Sequence, residues 1–167
     1  MQANNLIHLV VENVNILIGT KEFKKRKLNK MAYWLVKSEP FKYSWDQFVK
    51  DKKTFWDGVR NYAARNNLRS MQKSDLVLFY HSNEGLEIVG IAEVIKTAYQ
   101  DPTSDLDTWV AVDLKPRKKL NTPVTLQVLK ADPFFKNLEL IRLSRLSVSA
   151  VQEDEFRRIL ELGGTEL

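Results

Sequence analysis

Trp56-Asp57-Gly58-Val59-Arg60-Asn61-Tyr62-Ala63-Ala64-Arg65-Asn66-Asn67 is the stretch around which the chain is organised. Physically it reads as a strand end, a tight Asp-Gly turn and the first turns of a helix. Asn61 is suited to the N-cap, where its side-chain oxygen accepts from a free amide two or three residues on. Behind it Ala64, Leu68 and Met71 recur at helical spacing as an apolar stripe, while Asn61, Arg65 and Arg69 form a polar one. A helix start flanked by arginines attracts anions, and a tryptophan beside it offers a stacking surface for a flat ligand.

Working outward, Tyr33 to Ser38 reads as a strand stopped by Glu39-Pro40, because proline removes a ladder donor. Ser44-Trp45-Asp46-Gln47 has the form of a capping box, with Trp45, Phe48 and Val49 as the buried face of a short helix. Leu76 to His81 is almost wholly apolar, as in a strand covered on both faces. The turn Ser82-Asn83-Glu84-Gly85 returns the chain into a second strand over 88–98. Trp109 to Lys115 alternates as a third long strand, and Thr122-Pro123 predicts a helix start toward Lys130. Leu140 to Ser147 reads as another strand, and Glu153 to Leu162 as a last helix stopped by Gly163. The sum is an α+β domain whose five or six strands curl into a barrel with flanking helices.

The chain has 167 residues, which suits one domain with a real core. It has no cysteine and two histidines, a composition that excludes a disulfide framework and a thiolate zinc site. With no secretion signal evident, this composition predicts a cytoplasmic protein. Leu6 to Ile18 is apolar but too short to span a bilayer, so no membrane partner is expected. The net charge of +5 is unevenly spread: residues 1–30 hold six basic and two acidic side chains, leaving 20 basic against 19 acidic in the remainder. Residues 1–30 therefore read as a basic appendage, with Met31 as an alternative start, and 31–167 as the folded domain. The domain is no general polyanion sponge; any nucleic acid should meet it at a local site.

Five motifs occur in order: Tyr33 to Pro40, Trp56 to Asn66, Phe79-Tyr80-His81-Ser82, Tyr99-Gln100-Asp101-Pro102-Thr103, and Arg145-Leu146-Ser147-Val148. Together they resemble the EVE domain family, the thymocyte-nuclear-protein-like branch of the PUA-like superfamily, from about Met31 to Leu162. The resemblance implies a PUA-like barrel with a pocket for a single modified base of the 5-methylcytosine type or a related mark. It extends distantly to the YTH readers, which hold a methylated base in an aromatic cage. By that resemblance Lys37-Ser38 matches their strand-end Lys-Ser, Trp56 their first cage tryptophan, and Phe79 to Val94 their central hairpin. Tyr99, Trp34 or Tyr80 would supply the second wall, and Arg145 and Ser147 the rim.

Each assignment competes with a structural one. Trp56 could be a core residue, but a ligand-facing side chain is commonly held at an element end. Asn61 is a cap whose amide could also face a base edge. Lys37 could be a solvated lysine, and Ser38 could serve the base edge or its own backbone. Arg60, Arg65 and Asn66 would contact phosphate or pair locally. His81 with Ser38 and Asp57 makes a nominal catalytic set, but no nucleophile elbow surrounds Ser38, and a polar histidine closing a strand is the plainer reading. Asp46, Asp57, Asp101 and Asp105 lack metal-site spacing. The expected protein is thus a monomeric, non-enzymatic reader of modified DNA or RNA without cofactor or metal. An enzyme acting on a modified nucleobase or nucleoside, or an interaction module with a vestigial pocket, is the alternative.

Overall fold

The computed structural model describes residues 31–167; the appendage expected at 1–30 and its short apolar segment lie outside the described residues. Six strands form one mixed sheet: β1 (Tyr33–Ser38), β2 (Thr54–Trp56), β3 (Leu76–His81), β4 (Glu87–Gln100), β5 (Val110–Thr125) and β6 (Val148–Val151). Their order is β2-β5-β4-β3-β1-β6, with β1 and β3 parallel and every other pair antiparallel. The sheet curls in PUA-like fashion but does not close, so β2 and β6 remain its edges. Around it lie helices α1 (Trp45–Asp51), α2 (Tyr62–Ser70), α3 (Leu126–Ala131), α4 (Glu139–Arg142) and α5 (Glu153–Leu162). None of the described helices is long and apolar enough to cross a membrane.

Strand alternation divides the core between the two faces. Trp34 and Val36 of β1 and Val77 and Phe79 of β3 pack with Trp45, Phe48, Ala64, Leu68 and Met71 of the α1–α2 side. Leu35, Leu76, Leu78 and Tyr80 point the other way, onto Leu129, Phe135, Phe156 and Ile159. At Gly90, opposite Phe79, an added Cβ would lie 2.5 Å from the Trp45 ring, so only a bare backbone lets α1 approach β4 this closely.

Local rules account for most element ends. Ser44 Oγ accepts from the Gln47 amide at 3.1 Å, but the Gln47 side chain bonds Asp51 instead of completing the box. Val49, expected inward, is 49% exposed. Asn61 Oδ1 accepts from the Ala64 amide at 3.0 Å, and Met71 is fully buried just past the helix end.

Two expectations are corrected. The strand begun near Trp109 continues to Thr125, so Thr122-Pro123 lies within β5 and the helix starts behind the Thr125 cap, whose hydroxyl accepts from Val128 at 3.2 Å. β2 covers β5 only from Val112 to Leu114, so Pro116 and Pro123 fall where one side of β5 needs no donor. The segment read as a strand over Leu140 to Ser147 instead completes α4 at Arg142 and then turns, and the β6 ladder begins only at Val148. Helical turns from Pro133 onward hand Leu138 its role as the start of α4, and Leu138 and Leu140 are both buried.

Candidate functional site

Where β1 ends, the chain turns through Glu39 to Tyr43, and this turn, β2 and the Asp57–Arg60 turn enclose a cavity of about 600 Å³. Its walls include Lys37, Ser38, Tyr43, Phe55, Trp56, Asp57 and Arg60, with Ser147 at one side. That size accommodates a nucleoside-sized ligand.

The half-buried Trp56 ring is held edge-on by Phe79, with centroids 5.6 Å apart and planes at 84°. β2 fixes its position by pairing Trp56 with Val112. Gly58 takes φ +69 behind it, a conformation that glycine adopts without strain. Tyr43 also lines the cavity, its hydroxyl donating to Asp51 Oδ2 at 2.9 Å. Burial pushes the Tyr43 phenol up to about 12, with Asp51 adding to the rise, so it stays a neutral donor. The Lys37 ammonium donates to the Ser144 carbonyl at 2.8 Å, and desolvation lowers its pKa. Ser38 Oγ donates to the Tyr43 carbonyl at 2.6 Å, fixing the turn that forms this wall. The Lys37 amide donates to the Ser147 carbonyl at 3.0 Å, which carries the Arg145-Leu146-Ser147 segment to the site.

The Arg60 wall is braced from behind. Its Nη1 donates to Asp101 Oδ2 at 2.6 Å, and the Gly58 amide donates to the same oxygen at 3.0 Å. The Thr103 amide and hydroxyl donate to Asp101 Oδ1 at 2.8 and 2.6 Å. Burial of Asp101 works to raise its pKa, but the donors from Thr103, Arg60 and Gly58 prevail and bring it from 3.8 down to about 2. A depressed folded-state pKa stabilises the fold above the unfolded value and loses that contribution as pH falls through the folded one. Acid unfolding should therefore lose about 2 kcal/mol between roughly pH 4 and pH 2 from this residue. Asp101→Asn is expected to remove a similar amount at pH 7 and flatten that limb; chemical denaturation at stepped pH measures both.

The other nominated residues lie elsewhere. Trp34 is buried, and its indole donates to Asp75 Oδ2 at 2.9 Å. Tyr80 belongs to the opposite face of the sheet. Tyr99 donates to Asp113 at 2.6 Å and does not line the cavity. His81 Nε2 accepts from the Trp45 backbone amide at 3.2 Å, which places the proton on Nδ1; burial lowers its pKa, keeping the ring neutral. With Ser38 and His81 each bonded to other backbone, the nominal catalytic set is not assembled. Asn61 and Arg145 line a second, shallower cavity of about 390 Å³ with Ala63 and Arg142 to Leu146. Arg65 donates to its neighbour Asn66 at 2.8 Å. Tyr43, Phe55 and Asp57 are cavity residues that sequence reasoning missed or read otherwise. Tyr43 lies just past the strand end already marked by Lys37-Ser38, and Asp57 within the central motif.

The family model for the EVE domain matches residues 32–162. This chain belongs to the EVE domain family. A relative, thymocyte nuclear protein 1 of Mus musculus, is 34% identical, with 88% of this chain and 80% of that protein aligned. An NMR structure of a Rhodopseudomonas palustris protein matches with a TM-score of 0.77 and 48% identity, covering 80% of this chain and 94% of that one. The crystal structure of human THYN1 protein in complex with 5-methylcytosine containing DNA matches with a TM-score of 0.73 and 32% identity, covering 81% and 99%. A YTH domain from Zygosaccharomyces rouxii shares the fold at a TM-score of 0.52 and 17% identity, over 83% and 88% of the two chains. The expected cytoplasmic placement is corrected by these comparisons: the mouse, rat, chicken and human relatives are named as nuclear proteins. An interior without disulfides suits the reducing nucleus as well as the cytosol, so the missing cysteines never discriminated between them.

Proposed function

We propose that this EVE domain is a non-enzymatic nucleic-acid reader that takes one 5-methylcytosine-type base, turned out of its strand, into the Trp56 cavity. The observation that carries the reading is the cavity itself: an aromatic wall, an available carboxylate and backbone-anchored polar groups within one base-sized space. Trp56 supplies the stacking face. Asp57, which accepts no hydrogen bond from the described residues, would accept from the exocyclic amine of cytosine, the usual partner of an aspartate on that base. Phe55, half-exposed, and Tyr43 complete the apolar lining. Turning the base out costs a few kcal/mol, which stacking and edge hydrogen bonds must offset. The human relative bound to 5-methylcytosine containing DNA supports this choice of mark.

Arg142 and Arg145 have no ion-pair partner among the described residues and line the neighbouring second cavity, so phosphates of the flanking strand would settle there. Arg60 acts as a wall, since Asp101 already holds its charge. RNA carrying the same base is a second acceptable polymer, and one chain suffices for one base.

The test is affinity for matched oligonucleotides, DNA and RNA, with and without one 5-methylcytosine. The methyl group is expected to tighten binding about fourfold or more in at least one polymer, the value of one buried methylene-sized group. Equal affinity for both members of each pair would overturn the reading.

A further inference from the structure

Beside the cavity, outside it, four side chains form a continuous ladder of planar groups. The Arg65 guanidinium stands 4.8 Å from the Tyr62 ring centroid. Tyr62 in turn lies 5.2 Å from Trp109, the planes tilted by 37°. The Arg60 guanidinium stands 5.6 Å from the Trp109 ring. Arg60 is also a cavity wall, so the ladder begins at the mouth of the cavity and runs along the start of α2 into solvent.

The fold does not need this arrangement. Tyr62 is 63% exposed, and neither it nor Trp109 belongs to either buried core cluster. A soluble domain gains little by presenting a tyrosine so openly, and the guanidinium over its ring gives this patch a cationic rather than an apolar face. Arginine beside an exposed aromatic ring has instead the chemistry of a nucleotide: the ring stacks the base and the cation meets the phosphate. Arg60 is immobilised by Asp101 and by Thr103 Oγ1 at 3.3 Å, so Trp109 and the ring stacked beside it have a rigid base.

We infer that Tyr62, with Arg65 beside it and backed by Trp109 and Arg60, is a second stacking subsite for the nucleotide adjoining the one in the cavity. The inference rests on the cavity reading above and extends it from one base to two. Arg65, which among the described residues meets only the Tyr62 ring and the neighbouring Asn66, turns to the phosphate between them. The subsite is indifferent to base identity, since every base offers a π face.

The experiment measures affinities of the full chain for a DNA oligonucleotide with one 5-methylcytosine, and for versions in which either flanking nucleotide is abasic. Tyr62→Ala is expected to weaken binding to the intact oligonucleotide by about fivefold to a hundredfold. It should leave affinity unchanged for the version lacking the stacked base, whereas Tyr62→Phe retains the wild-type pattern. Because the ring is exposed, its removal leaves the core intact, and a thermal melt checks this. Equal effects of Tyr62→Ala on all three oligonucleotides, or no effect on any, would overturn the inference. Failure of the cavity reading has a different signature, the loss of any preference for the methylated base over cytosine in the wild-type chain.

Discussion

Trp56→Ala is expected to weaken binding to 5-methylcytosine DNA by about fivefold to a hundredfold, since a stacked base contributes roughly 1 to 3 kcal/mol. The argument is geometric. Trp56 lines the cavity while remaining half-buried, and Phe79 meets it in a T-shaped contact with the planes at 84°. Truncation removes the wall and leaves Phe79 and the β2–β5 pairing in place. The folded state should lose the ring's packing on Phe79 and on the edge of the core cluster, so the melting temperature falls by several degrees. Trp56→Phe restores a smaller stacking face and should recover most of the affinity. Isothermal titration with methylated and unmethylated duplexes, alongside a melt of each variant, measures both quantities. A variant that binds like the wild type would remove the stacking wall from the account.

Asp75→Ala should produce the largest loss of stability, about 3 to 5 kcal/mol, through a mechanism unrelated to ligand. Asp75 is buried at the turn before β3. Its carboxylate accepts from the Trp34 indole at 2.9 Å, the Ala32 amide at 3.0 Å and the Gln72 amide at 2.8 Å. Its own backbone carbonyl accepts from the Val94 amide at 3.0 Å, so the residue joins β1, β3 and β4 at one corner. Alanine leaves the buried Trp34 indole without an acceptor, at about 1 to 3 kcal/mol, and removes the part-buried bonds from the Ala32 and Gln72 amides, at about 1 kcal/mol each. Asp75→Asn retains a single acceptor oxygen and should fall between the two. Calorimetric melting should show a drop of about 10 to 20 °C for Asp75→Ala, and a change under 3 °C would contradict the bracing role. Trp34 thus belongs to this brace and not to the cavity.

The sequence revealed the elements of this fold where periodicity was strong. β3 is apolar up to His81 because both of its faces are covered, and the buried stripe of α2 runs through Ala64 and Leu68 to Met71 just past its end. It misled where two local signals competed. Thr122-Pro123 has the chemistry of a helix start, yet it sits in a strand because β2 is too short to require a donor from that part of β5. The run from Leu138 to Ile141 places apolar residues almost consecutively, a pattern that strand and short buried helix share.

The site divides in the same way. The central motif delivered Trp56 and Arg60, and the strand end delivered Lys37 and Ser38. Tyr80 could have been set aside by parity alone: it adjoins Phe79, whose ring faces Trp56, so its own side chain must point to the other face. Trp34 shares the correct face but lies three residues up the strand from Lys37, roughly 10 Å away. Tyr43 could not be found by periodicity, because it sits on a turn whose path is set by the Ser38 hydrogen bond.

The four tryptophans, Trp34, Trp45, Trp56 and Trp109, each contribute one indole N–H signal to a proton–nitrogen correlation spectrum, and these report the cavity directly. On titration with 5-methylcytosine DNA, the Trp56 signal should move strongly while those of the buried Trp34 and Trp45 stay in place. Unmethylated DNA of the same sequence should move it less. A Trp56 signal that stays fixed while the DNA binds would contradict the claim that the base enters this cavity.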